Sequence, residues 1–135
     1  LAAGIESSAA CRDAYDNVFE STWTRSPYSL SNYTSAPRIL RQTVARGRYD
    51  IVHVHTPIAA FVTRWALRKL RKQGRVVVIY TVHGFHFHER GSRLKNAIYR
   101  SAERLAGRWT DRLVVLTQAD YEAAIALRLS IRRAL

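Results

Sequence analysis

The sequence predicts an α/β fold, a parallel sheet flanked by helices, and three observations carry that expectation. From Tyr49 onward, short β-branched runs alternate three times with segments of helical spacing. The middle run, Val76 to Val82 (VVVIYTV), is almost continuously apolar, as a parallel strand buried on both faces requires. The breaks between segments hold residues that start and stop helices. The order βαβαβα implies consecutive parallel strands joined by right-handed crossovers.

The elements follow in order. Residues 1–48 are less regular: Asn17 to Trp23 reads as a strand, Ser26-Pro27-Tyr28-Ser29 as a turn, and Pro37 to Arg46 as a helix ending near Gly47. Residues 49–135 form the regular βαβαβα core. Ile51 to His55 is a strand with Ile51, His53 and His55 on one face. Thr56-Pro57 supplies an N-cap and a proline at the first helical position. Ile58, Phe61, Val62, Trp65, Ala66 and Leu70 then recur at helical spacing, Arg64, Arg68, Arg71 and Lys72 fall largely on the other side, and Gly74 closes the helix. After the second strand comes a histidine-rich loop. Ser92 caps a helix to about Arg108 with Leu94, Ile98, Ala102 and Leu105 inward. Leu113 to Leu116 is the third strand, and Thr117-Gln118-Ala119-Asp120 resembles a capping box with Asp in place of Glu or Gln. The sum is a Rossmann-like sheet.

Composition narrows the function. At 135 residues, 47% of them hydrophobic and 24% charged, the chain has the makeup of one globular domain. Its 22 Lys and Arg, 19 of them Arg, stand against 10 Asp and Glu, for a net charge of +12. That surplus favours an anionic partner. The single Cys11 excludes an internal disulfide framework. No run approaches the roughly 20 apolar residues of a membrane span, so a cytoplasmic protein, soluble or surface-bound, is expected. Basic residues spread over helix faces, as in Arg64/Arg68/Arg71 and Arg93/Arg100/Arg104, come without a helix-turn-helix, zinc-finger spacing or RNP aromatics. They fit an anionic membrane surface better than nucleic acid.

All five histidines fall between positions 53 and 88, in IVHVHT and VHGFHFHERG. In an open parallel sheet, ligands bind beyond the carboxyl ends of the strands. His55-Thr56, His83-Gly84 and Thr117 end the three strands and so share one rim. His53, in mid-strand, reads as a hydrogen-bonded core residue. Gly84 permits close backbone approach beside His83. His86 and His88 alternate with Phe85 and Phe87, so the imidazoles share one face of an extended loop. The alternatives are a binding loop or a loop folded onto the domain by its phenylalanines. A zinc site would need a nearly all-histidine ligand set, since there is no His-Glu-x-x-His, no Cys pair, and only Glu89 as a neighbouring carboxylate.

The segments YDIVHVHTPIAAFVTRWALRKLRKQG, VIYTVHGFHFHERG and AERLAGRWTDRLVVLTQADYEAA resemble the amino-terminal domain of bacterial glycosyltransferases of the GT4 type, closest to those that assemble capsular and extracellular polysaccharides. The resemblance covers about Tyr49 to Ala124 and extends toward the amino terminus through Thr24 to Pro27. It implies a GT-B architecture, in which this domain shapes the acceptor side of a cleft and a second domain holds the sugar nucleotide. It further implies a retaining transfer without a metal or other cofactor, and a catalytic His83 that reaches the transferred sugar. His55, Thr56, Gly84, Phe85, His86, His88 and Thr117 are the expected substrate-binding residues. The donor would be a nucleotide sugar, and the acceptor a lipid-linked or other glycan at the cytoplasmic membrane face. The family's first strand with its Gly-rich loop and its carboxy-terminal domain do not occur within these residues, so the sequence reads as part of a longer enzyme, inactive alone. The rival readings are a non-catalytic Rossmann-like membrane- or partner-binding module and an Arg-rich nucleic-acid binder.

Overall fold

A computed structural model describes residues 15–17, 19, 28–85, 87 and 91–129. A 3-10 turn, Leu30–Asn32, leads into helix α1 (Ser35–Gly47). There follow β1 (Ile51–Val54), α2 (Pro57–Lys72), β2 (Val77–Val82), α3 (Arg93–Gly107), β3 (Arg112–Val115) and α4 (Gln118–Ala126). The three strands form one parallel sheet in the order β1-β2-β3, with Val54 beside Tyr80 and Tyr80 beside Leu113. The helix expected over Pro37 to Arg46 is α1, closed by Arg48 in the left-handed conformation one residue past Gly47. Of the strand expected over Asn17 to Trp23 all but Asn17 and Phe19, and of the following turn Ser26 and Pro27, lie outside the described residues.

Alternation along the strands decides which residues meet the helices. Val78 and the half-buried Val52 pack with Leu40 and Val44 of α1 and Ala66, Leu67 and Leu70 of α2. Farther along the same face, Tyr80, Val82 and Leu113 pack with Ala60 of α2 and with Ala124, Leu127 and Leu129 at the end of the described chain. The alternate positions Ile51 and Val77 are exposed, at 59% and 42%. The expectation that the middle strand is buried on both faces is therefore corrected at its start, because the described helices lie against one face of the sheet.

Two corrections concern the arginines. Arg64, expected on a solvated face, is 1% exposed. Its guanidinium lies 4.2 Å over the Tyr80 ring, its Nε donates to the Ala60 carbonyl, and both terminal nitrogens donate to Glu103 Oε2 at 3.1 Å. Burial, and then the Glu103 carboxylate, push the Tyr80 hydroxyl well above the ordinary phenol range. Arg71, half-buried, pairs with Asp111 at 2.9 Å and reaches the Arg108 carbonyl at 3.1 Å. Asp111 Oδ2 in turn accepts from the Val78 amide. Both arginines hold α2 to the elements that follow it, so the α2 face does not offer them to an anionic surface.

Helix α3 corrects a third expectation. Leu94, Ile98 and Leu105 are exposed, at 72%, 59% and 42%, and the helix instead buries Ala106 and turns Glu103 toward Arg64. At ~100° per residue, Glu103 projects from the side of the helix opposite Leu94, so satisfying Arg64 turns the apolar stripe outward. The caps differ as well: Thr56 and Ser92 occupy N-cap positions but make no side-chain cap bond, whereas Thr117 does.

Candidate functional site

The carboxyl ends of β1 and β2 bring three histidines together. The register that sets Val54 beside Tyr80 carries His55 level with Thr81 and aims it at the residue after β2. His55 Nδ1 lies 3.2 Å from His83 Nε2, with ring centroids 5.5 Å apart. A single proton between the two nitrogens makes one imidazole the donor and the other the acceptor. The His53 ring, two residues back on the same face of β1, lies 4.3 Å from the His55 ring and tilted 42° to it, and its Nε2 bonds to Thr81 Oγ1 at 2.7 Å. The expected hydrogen bond of His53 is present, but the residue is exposed rather than in the core. Burial first, then the neighbouring imidazoles of His53 and His83, hold His55 below the ordinary histidine range. It is therefore the neutral form that the cluster favours at this position.

Gly84 follows His83 with φ at +113°, and a Cβ built there would meet nothing within 4 Å among the described residues. The positive φ is what calls for glycine at this position. The loop then turns inward. Phe85 and Phe87 stack with centroids 4.9 Å apart against the core cluster of Tyr80, Val82 and Leu113. Both rings are half-buried, so the Phe85 side chain packs on the domain. His86 and His88 lie outside the described residues.

The third corner of the rim is Thr117, the N-cap of α4. Its Oγ1 donates to Asp120 Oδ2 at 2.7 Å and accepts from the Asp120 amide at 3.1 Å. Asp120 Oδ1 accepts from the Phe85 amide at 3.1 Å. Asp120, 8% exposed, thus ties the loop after β2 to the start of α4. The T-x-x-D spacing marked the cap in the sequence, but nothing there marked the bond to Phe85. Thr117 is engaged in that clasp, whereas Thr56 stands exposed at the first strand's end with no cap bond.

Among the described residues, no group of three His, Cys, Asp or Glu side chains is arranged to hold a metal ion, and no helix is long and apolar enough to cross a membrane. The rim can offer hydrogen bonds from imidazole and hydroxyl groups to a polar ligand.

Comparison with known proteins gives this rim a setting. Residues 2–135 match a family described as glycosyl transferase 4-like domain. The chain is 36% identical over 114 residues, 84% of its length, to EpsD of Bacillus subtilis (strain 168), a protein assigned as a glycosyltransferase. It is 25% identical over 127 residues to an uncharacterized 41.2 kDa protein in the cps region of Klebsiella pneumoniae. It is 33% identical over 86 residues, 64% of the chain, to the Escherichia coli UDP-Gal:alpha-D-GlcNAc-diphosphoundecaprenol alpha-1,3-galactosyltransferase. The chain spans 29%, 35% and 21% of the lengths of these relatives. No solved structure matches it.

Proposed function

Because the chain belongs to the glycosyl transferase 4-like domain family, we propose that it forms the acceptor-side part of an enzyme that transfers a hexose-type unit from a nucleotide sugar to a lipid-linked acceptor in polysaccharide synthesis. The observation that carries the reading is the His55–His83 pair at the carboxyl rim of a parallel sheet, where such folds bind ligands. The name of the Escherichia coli relative, with its UDP-linked donor and diphosphoundecaprenol acceptor, supplies the substrate classes. In this reading the enzyme works at the cytoplasmic face of the membrane, attached peripherally, retains the anomeric configuration and uses no metal.

His83 is the catalytic residue of the reading. The β2 strand fixes its backbone, and the bond to His55 fixes its ring, so its remaining nitrogen can meet a hydroxyl of the transferred sugar or an oxygen of the departing diphosphate. Such a bond stabilises most where charge develops, as the bond from the sugar to the diphosphate breaks. His55, Thr56 and Gly84 line the acceptor approach, and His86 and His88, which follow in the sequence, belong to the same set of substrate contacts. The donor diphosphate needs cationic and backbone donors from a second domain.

The test is sugar transfer by the full-length protein from radiolabelled nucleotide sugars to lipid extracted from a polysaccharide-producing bacterium, run beside the 135-residue chain. The reading requires transfer by the full-length protein, persistence of transfer in chelator, and none by the 135-residue chain. Failure of every common nucleotide sugar to turn over would leave the non-catalytic module as the better account.

A further inference from the structure

We propose that helix α3 is a membrane-docking face, which binds anionic phospholipid through the stripe Leu94, Ile98 and Leu105 and the arginines beside it. The inference deepens the proposed function and rests on its membrane-linked acceptor, because it names the surface that would bring the site to that acceptor.

The argument begins with an apolar stripe that faces outward. Leu94, Ile98 and Leu105 lie along one side of α3, four and then seven residues apart, and are 72%, 59% and 42% exposed. A stripe of large apolar side chains gains nothing from facing water, so its exposure calls for something else to meet it. The charges say what. Arg93, Lys95, Arg100 and Arg104 are all exposed on this helix. At ~100° per residue, the three arginines fall along one flank of the stripe and Lys95 on the other. The helix has one acidic residue, Glu103, and that carboxylate is committed to Arg64 on the opposite side. Apolar residues between cations on one helix are the pattern of a helix lying in a lipid interface, with its apolar side chains among the acyl chains and its arginines at the headgroups.

The other anionic surfaces fit less well. Duplex nucleic acid would use the arginines but leave Leu94 and Ile98 in water. A second copy of the chain would bring like charges together. Docking on lipid would also serve the site, since α3 begins just after the loop that carries His83, and Arg100 sits 5.1 Å over the Phe87 ring of that loop. The helix and the site loop would approach the membrane together.

Sedimentation of the purified full-length protein with phosphatidylcholine vesicles, with and without phosphatidylglycerol, tests this. Each basic residue near an anionic surface strengthens binding about fivefold at low salt. Binding to the anionic vesicles should therefore exceed that to neutral ones by at least tenfold or so and fall as salt is raised. The double variants Leu94→Ser/Ile98→Ser and Arg93→Gln/Arg104→Gln should each weaken it roughly tenfold or more. All four positions are exposed, so melting temperatures should stay at the wild-type value, and transfer to a detergent-solubilised lipid acceptor should persist. Wild-type vesicle affinity in both variants overturns the proposal. So does equal binding to neutral vesicles, tight binding to duplex DNA with none to lipid, or a dimer that Ile98→Ser dissociates. Vesicle binding as expected without any sugar transfer would leave the docking face standing and remove the transferase reading instead.

Discussion

His55 and His83, twenty-eight residues apart, share a hydrogen bond of 3.2 Å across the ends of two neighbouring strands. The bond turns two side chains into one unit, in which His83 is the member held at the end of β2. In the full-length enzyme, His83→Ala should lower turnover by about a hundred- to a thousandfold, the usual effect of removing one hydrogen bond made to developing charge, with a much smaller change in KM. His55→Ala should cost less, and the double variant should cost little more than His83→Ala alone, because residues that act as a unit are not additive. Steady-state kinetics on the four proteins decides it. Wild-type turnover in His83→Ala would move the chemistry elsewhere on the rim.

The same pair sets a pH dependence. Burial and the imidazoles of His53 and His83 lower the His55 pKa below 6.5, so the folded state takes up its proton less readily than the unfolded chain. By linkage, this contribution to stability is present above pH 6.5 and is lost as pH falls from there through the folded value. His55 is largely exposed, so the effect on stability should be small and the titration itself is the better readout. In an NMR titration, the His55 ring should titrate below 6.5 in the wild type and move upward in His53→Gln and again in His83→Gln. A midpoint above 6.5 in the wild type would contradict the arrangement.

How far the sequence foretold this depends on what a pattern can encode. VVVIYTV announced the middle strand because β-branched residues favour the pleated backbone, and the strand ends then announced a rim with His55, His83 and Thr117 on it. The 3.2 Å contact was not legible, because it depends on the β1–β2 register, which places Val54 rather than a neighbour beside Tyr80. Arg64 misled for a different reason. Helical spacing places it off the apolar stripe, but whether that side meets water or a carboxylate depends on Glu103, a full element away in the chain. Leu94 and Ile98 misled in the mirror sense, since periodicity finds a stripe but not what the stripe faces.

The Arg64–Glu103 pair should be expensive to break from one side. Glu103→Ala leaves a buried guanidinium whose charge has no carboxylate, and the expected loss is about 3 to 5 kcal/mol. Exchanging both partners for apolar residues, Arg64→Met with Glu103→Leu, should recover most of that, because the desolvation penalty leaves together with the attraction. Urea denaturation of the three proteins measures both numbers. A loss below about 1 kcal/mol in Glu103→Ala would place the pair with exposed surface bridges and contradict the 1% exposure of Arg64.

Asp120 joins the stability of the domain to the geometry of the rim. One carboxylate oxygen accepts from Thr117 Oγ1 at the helix start and the other from the Phe85 amide in the loop, two residues beyond His83. Thr117→Ala removes the cap bond from the Asp120 amide together with the hydroxyl's bond to Asp120 Oδ2, and should cost about 1 kcal/mol. Asp120→Ala keeps the cap bond, which its backbone amide makes, but leaves the Phe85 amide without its acceptor, and an unmet buried donor costs about 1 to 3 kcal/mol. The second change should also reach the chemistry. With Phe85 untied, the loop can shift against β2, and a displacement near 1 Å at His83 is enough to lower turnover by about a hundredfold. Asp120→Asn keeps a carbonyl oxygen for one of the two donors and should fall between. The measurements are melting temperature and turnover on the same samples of the full-length enzyme. If Asp120→Ala loses stability but keeps wild-type turnover, the clasp holds α4 without positioning His83.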